Sequence, residues 1–268
     1  MQSTVTKPDA GELVLVERED DIAVVTMNIP SRRNPFSFAM RLALRDAFYR
    51  LLHEDTAVRA VVLTGAGGHF CAGGDLSEMT QAPPILELRD RIAVACDLFR
   101  LIYGGPKPVI AAVEGACIGA GLSLACATDL AIGSTASKYS CAFVKVGLLP
   151  DTGLLWTLPQ RVGHSRAREL MLTGRSLDAE AALKTGIVSQ LVEPGTVRRA
   201  AIERARQFAA IPPVTLALLK AALVNGMNTV EDACRLEIDL NPLVRQTADH
   251  LEAINAFMEK RKPVFTGE

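Results

Sequence analysis

The sequence predicts an α/β fold, and three observations carry that prediction. The apolar run Ala60-Val61-Val62-Leu63-Thr64-Gly65 leads to a glycine turn, Phe70-Cys71-Ala72-Gly73-Gly74-Asp75-Leu76. The run Pro108-Val109-Ile110-Ala111-Ala112-Val113 leads to a second, Gly115-Ala116-Cys117-Ile118-Gly119-Ala120-Gly121-Leu122. Each reads as a buried strand giving way to a turn and then a helix. From residue 197 onwards the pattern is almost wholly helical. With 268 residues, 49% apolar and 22% charged, the chain is globular and near the upper size of one domain.

The elements follow in order. Residues 12–28 read as a hairpin, two apolar runs around the charged turn Glu17-Arg18-Glu19-Asp20-Asp21. A loop with two prolines, Arg32 and Arg33 comes next, then a helix over 38–53 with apolar residues at helical spacing. A strand over 59–65 reaches the first glycine turn. Residues 77–90 are irregular, with Ala82-Pro83-Pro84 as a helix breaker, and read as a mobile lid. A helix over 91–103, a strand over 109–113, the second turn and a buried helix through Ala127 follow. A short strand over 129–133 precedes helices over 153–160, 165–173 and 178–184. The tail divides into helices over 197–210, 214–226, 229–240 and 243–260, with Pro242 breaking the chain between the last two. The domain reading is a core over 1–196 that holds the site and a helical region over 197–268 that drives self-association.

The turns suggest chemistry. Small side chains leave backbone N–H groups open to a ligand, and a helix N-terminus gives them partial positive charge. Two such turns brought together make a two-donor site for an oxygen that becomes negative during reaction. The plainer reading is a pair of tight turns needed for packing. Neither turn fits the phosphate-loop pattern, which needs Lys-Ser or Lys-Thr, or the glycine spacing of a dinucleotide fold.

Composition excludes other classes. The formal net charge is −1, there is no dense basic run, and aromatics are 5%, which argues against nucleic acid as a partner. The six cysteines form no C-x-x-C pair and the four histidines are dispersed, so no metal site is expected. The cysteines read as small buried hydrophobes of a reducing compartment. Cys71, inside the first turn, is a weaker candidate nucleophile without a sequence-evident base. The first residues lack a signal-peptide core, and no apolar run is long enough to span a membrane. The expected location is cytoplasmic.

Taken together, these stretches resemble the crotonase superfamily, the enoyl-CoA hydratase/isomerase family. Asn34-Pro35-Phe36-Ser37 resembles its early loop, and Phe70 to Leu76 its F-S/C-A-G-x-D-L signature. Lys107-Pro108-Val109-Ile110-Ala111-Ala112-Val113-Glu114-Gly115, with Gly119-Ala120-Gly121, resembles the second signature. Leu172-Thr173-Gly174, Gly186-Ile187-Val188 and Phe257-Met258-Glu259-Lys260-Arg261-Lys262-Pro263 fit the regions beyond. The resemblance implies a crotonase-like spiral of ββα units with a C-terminal helical trimerisation region, as a homotrimer or a dimer of trimers. It implies an acyl-CoA thioester substrate, with coenzyme A as part of the substrate and no separate cofactor.

It also implies roles. The oxyanion donors correspond to Gly74 and Ala120, the latter replacing the more usual glycine. The two hydratase glutamates correspond to Ser123 and Phe143, neither of which ionises near neutral pH. Asp151, in Gly147-Leu148-Leu149-Pro150-Asp151-Thr152-Gly153, is the remaining carboxylate. This segment resembles members that shift double bonds in acyl-CoAs, the phenylacetate-pathway isomerase type among them. It also resembles the halobenzoyl-CoA dehalogenases, where an aspartate in this region is a nucleophile. Asp151 alternatively caps a helix at Thr152-Gly153-Leu154. The family context favours a catalytic role, in a segment whose apolar character would raise the carboxylate pKa. The expected substrate-binding residues are Arg33, Ala72, Asp75, Phe143 and Lys260. Arg33 and Lys260 would meet the nucleotide end of coenzyme A, and Phe143 would line the acyl pocket. The activity expected is an enoyl-CoA isomerase. The alternatives are an enoyl-CoA hydratase, another lyase or hydrolase of the family, or a non-catalytic member that binds CoA or RNA.

Overall fold

Every central strand faces two cores at once. The computed structural model describes residues 11–80 and 83–268, with backbone only at 225. A six-stranded sheet runs in the order β1 (Val14–Glu19), β2 (Ile22–Met27), β3 (Ala60–Gly65), β4 (Val109–Val113), β6 (Leu130–Ser134), β9 (Gln190–Val192). The first pair is antiparallel and the rest are parallel. Side chains alternate across a strand. In β3, Val61 and Leu63 enter one core while Ala60 and Val62 enter the other. Both faces are covered, so these strands read as continuous apolar runs rather than alternating ones.

Helices α1 (Phe38–Tyr49), α2 (Ile85–Gly104) and α3 (Ala120–Ala127) supply the larger core through Met40, Leu44, Leu98, Ile102 and Leu124. The opposite face is closed by α7 (Val197–Ala209), whose Val197, Ala201, Ile202 and Ala205 meet Ile22, Val62, Ile110 and Ile132. A second sheet of three short strands, β5 (Ala116–Ile118), β7 (Lys138–Ser140) and β8 (Ser176–Leu177), lies beside the second glycine turn. Helices α4 (Leu154–Val162) and α5 (His164–Thr173) lie between β7 and β8, α6 (Ala179–Thr185) leads from β8 to β9 of the larger sheet, and α8 (Pro213–Asn225), α9 (Val230–Arg245) and α10 (Ala248–Met258) complete the chain. The result is the α/β spiral with a helical C-terminal region that the sequence predicts.

Two boundaries differ from expectation. Helix α2 begins at Ile85, six residues before the predicted start, because Pro84 serves as its N-cap rather than a breaker. Residues 81 and 82 of the expected lid lie outside the described residues. Helix α9 runs through Pro242. A capping box starts it, with the Asp232 N–H donating to Thr229 Oγ1 at 3.1 Å and the Thr229 N–H to Asp232 Oδ2 at 3.1 Å. The break falls instead at Thr247, whose hydroxyl caps α10 by accepting from the His250 N–H at 3.1 Å. Among the described residues, no single helix is long and apolar enough to cross a membrane.

Candidate active site

The two glycine turns are stitched together by backbone pairing. The Cys71 N–H donates to Ala116 O at 2.9 Å, and the Ile118 N–H returns to Cys71 O at 3.0 Å. This closeness requires glycine. A Cβ on Gly121 would lie 2.5 Å from Cys71 O, and one on Gly73 would lie 3.0 Å from Ile118 O at a φ of 103°. Asn34 fastens the early loop to the first turn. It is fully buried, accepts from the Ile29 N–H at 2.8 Å, and donates to Ala66 O at 2.9 Å and His69 O at 2.7 Å. Its φ of 54° is one that asparagine tolerates better than most residues.

The Gly74 and Ala120 amides donate to no backbone or side-chain acceptor among the described residues. Ala120 is the first residue of α3, so its N–H is one of the unsatisfied donors at that helix start. Both residues line one cavity of about 410 Å³. Most buried amides are paired, so two open donors on a shared cavity are an arrangement able to hold an anionic oxygen.

The same cavity holds an acid. The short helical turn Ala142–Val146 ends at Gly147, at a φ of 71°, and the chain then turns through Leu148 and Pro150 to Asp151. Asp151 is half-buried and stands where the donor cavity meets a second one of about 370 Å³. Its Oδ1 accepts from the Thr152 hydroxyl at 3.0 Å. Burial pushes its carboxyl above the usual carboxylate range, while the Arg41 guanidinium and the Thr152 hydroxyl pull back against that shift. Asp151 caps no helix: α4 starts at Leu154 with Gly153 as its N-cap and without a side-chain cap.

The expected site residues separate into two groups. Gly74, Ala120, Ala72, Asp75, Phe143 and Asp151 all line the donor cavity. Asp75 is committed locally, accepting from Arg32 Nη2 at 2.6 Å and from the Ser77 hydroxyl at 2.6 Å. Against the cost of burial, the hydrogen bonds from Ser77 and Arg32 hold its carboxyl below the usual range. Arg33 is exposed and lies off the cavity, where its neighbour Arg32 takes part instead. Lys260 is exposed beyond the end of α10 and also lies off the cavity. Ser123 is fully buried, and its hydroxyl turns back to Gly119 O at 3.4 Å. Burial pushes the Cys71 thiol up to about 12, so it carries no thiolate at neutral pH.

Two residues escaped the sequence reading. Arg41 lines both cavities and is only 9% exposed. Its signal was present, because a charged residue sits on the buried stripe of α1 with Met40, Leu44 and Phe48. Thr152 is fully buried at a φ of 52°, and nothing local in the sequence marks it.

Comparison with known proteins agrees with this fold. The family described as enoyl-CoA hydratase/isomerase matches residues 17–268. The 1,2-epoxyphenylacetyl-CoA isomerase of Escherichia coli K12 is 37% identical, over 96% of this chain and 99% of that one. The crotonyl-CoA hydratase of Syntrophomonas wolfei is 33% identical, over 96% and 98%. The solved structure of an enoyl-CoA hydratase from Bacillus anthracis superposes with a TM-score of 0.90 at 30% identity, covering 96% of this chain and 100% of that one. With its paired turns, open amides and full-length similarity, the chain belongs to the enoyl-CoA hydratase/isomerase family.

Proposed function

We propose that this enzyme is an enoyl-CoA isomerase with Asp151 as its proton shuttle. One observation carries the reading. Of the two carboxylates on the donor cavity, Asp75 Oδ1 takes an ion pair from Arg32 and two hydrogen bonds from Ser77, which hold the carboxyl below its usual range, whereas Asp151 accepts one side-chain hydrogen bond, from Thr152, and burial holds its carboxyl above that range. The thioester oxygen sits between the Gly74 and Ala120 amides. Asp151 takes a proton from one carbon of the acyl group, and the electron pair of the broken C–H bond moves onto the thioester oxygen through a dienolate. Asp151 then delivers a proton, the one it took or one exchanged with solvent, to a second carbon, so the atoms balance and only the double bond moves. A raised carboxyl pKa suits a group that must both accept and return a proton.

Hydration is the second reading, favoured by relatives named as hydratases. Against it stand Ser123, turned back into its helix, and Phe143, which accepts no proton. The acyl tail has room in the second cavity, among Phe38, Leu88, Ile92 and Leu149. The deciding experiment incubates the enzyme with 2-enoyl-, 3-enoyl- and ring-epoxide acyl-CoAs in deuterated water. Mass spectrometry separates isomerisation with exchange from addition of water. Hydration as the fastest reaction across the panel would defeat the isomerase reading.

Assembly as a homotrimer, or a dimer of trimers, completes the proposal. It uses the region from 197 onwards, chiefly α8 to α10. Helix α9 has no buried residue, and Leu251, Phe257 and Met258 of α10 are 61%, 82% and 76% exposed. Apolar surface on this scale is normally covered by another chain. The seam would bring Lys260 towards the nucleotide end of coenzyme A. Light scattering should give a multiple of the 28.7 kDa chain, and a monomer mass at micromolar concentration defeats the assembly.

A further inference from the structure

We propose that Arg41 and Thr152 are positioning residues that hold the Asp151 carboxylate with Oδ1 anchored and Oδ2 presented to the substrate. The inference rests on the reading of Asp151 as the proton shuttle and adds how that group is aimed and kept ionisable. Three features of the geometry support it.

The first is the Thr152 backbone. Its φ of 52° lies in the left-handed region, which is unfavourable for a β-branched residue. Such a conformation persists only where the surroundings impose it, and such sites cluster at functional positions. Here it turns the Thr152 hydroxyl onto Asp151 Oδ1 at 3.0 Å. The next residue, Gly153, has Phe99 packed so close that a Cβ would lie 2.4 Å from the ring, which pins the turn from the other side.

The second is the setting of Arg41. Its Nε donates to Phe36 O and its Nη1 to Arg91 O, each at 3.4 Å, and the guanidinium lies 5.0 Å from the Phe36 ring centroid. The group is thus fixed in position by α1, α2 and the early loop. Its Nη2 donates to no protein acceptor among the described residues.

The third is the charge around the cavities. Asp75 pairs with Arg32 at 2.6 Å, and Arg91 pairs with Glu87 at 2.7 Å. Glu78 accepts from the Phe38 N–H at 3.0 Å. Arg41 alone has no direct ion-pair partner among the described residues that face Asp151, and Asp151 is the carboxylate that acts on it most strongly. A buried guanidinium without a partner is costly. The ionised Asp151 carboxylate, which lines the same two cavities, answers that charge, and Arg41 in turn makes ionisation of a half-buried acid less costly.

The test compares Arg41→Gln, Arg41→Lys, Thr152→Ala and Thr152→Ser, using the enoyl-CoA that the wild type converts fastest. Folding is checked by thermal unfolding. The readouts are kcat, KM and the acid limb of kcat against pH. Removing the positive charge or the hydroxyl leaves burial unopposed, so the carboxyl pKa rises and the acid limb moves to higher pH. Arg41→Gln should move it by about one pH unit or more, and Thr152→Ala by less. In both, kcat falls while KM changes little. Arg41→Lys keeps the charge and Thr152→Ser keeps the hydroxyl, so both limbs stay near the wild-type position. An unmoved limb in Thr152→Ala or Arg41→Gln overturns the inference, and so does a Thr152→Ser enzyme as impaired as Thr152→Ala. If Arg41→Gln does not fold, the Thr152 pair and Arg41→Lys decide, because a limb raised in Arg41→Lys contradicts a role through charge. Full turnover by Asp151→Asn would instead sink the underlying proton-shuttle reading, so the two failures are distinguishable.

Discussion

The two walls of the cavity are built from different materials. The donor wall is backbone: the Gly74 and Ala120 amides, held in place by pairing between Cys71 and β5. The acid wall is made of side chains from separate elements, with Arg41 on α1 and Asp151 on the segment before α4, and the buried Thr152 backs Asp151 from outside the cavity. A backbone donor survives any non-proline substitution at its own position and is lost only when the chain around it moves. A side-chain acid is lost with one atom. The donor wall should therefore fail through packing and the acid wall through chemistry.

The largest effect belongs to the acid wall. Asp151→Asn should keep the fold and the binding of acyl-CoA while turnover falls about 10²–10⁴-fold, the range of positioned proton transfer. Steady-state kinetics with unfolding midpoints would check it. Turnover within about tenfold of wild type removes Asp151 from the mechanism.

Gly121→Val attacks the donor wall through packing. Its Cβ would meet Cys71 O at 2.5 Å, which is backbone and cannot swing away. The expected cost is about 1–3 kcal/mol, with a lower Tm and a loss of turnover together. An unchanged Tm would show that the turns are not held as tightly as their pairing implies.

Gly74→Ala should do less. Its Cβ would meet Met79 Cε at 2.7 Å, the far end of a flexible side chain. The amide remains, so Tm should stay near wild type while KM rises severalfold as Met79 moves into the cavity. A collapse of turnover comparable to that of Asp151→Asn would count against the separation of the two walls.

Ala120→Gly should do least. The N–H is retained and only a methyl group goes, so turnover should change by less than about tenfold. Losing an oxyanion donor itself typically costs about 10²–10³. A loss of that size on this change would mean that the methyl group, rather than the amide, organises the site.

The same division governs what could be read in advance. The donor wall was legible because glycines after apolar runs leave a local trace, and β3, β4 and β6 emerged from those runs. Asp151 became a candidate once Ser123 and Phe143 were seen in the places of the usual acids, and the structure puts it on the same cavity as the two amides. Arg41 was not, because its function depends on which elements face each other, and its helix reads as an ordinary amphipathic surface with one charge misplaced. Thr152 was hidden for another reason: the sign of φ at a non-glycine residue is set by tertiary contacts such as Phe99 against Gly153. The short strands β5, β7 and β8 have two or three residues each, too few for a period to register.

Asn34 carries a consequence for how the protein ages. Its side-chain amide donates to Ala66 O and His69 O and so fastens the early loop to the stretch that leads into the donor turn; conversion of that amide to a carboxylate would put a charge where two carbonyls now accept. The usual route to that damage needs the next residue's backbone N–H to attack the side chain. The next residue is Pro35, which has none. The asparagine on which the site's geometry depends is thus shielded from spontaneous deamidation by its neighbour, and storage should erode exposed asparagines long before this one.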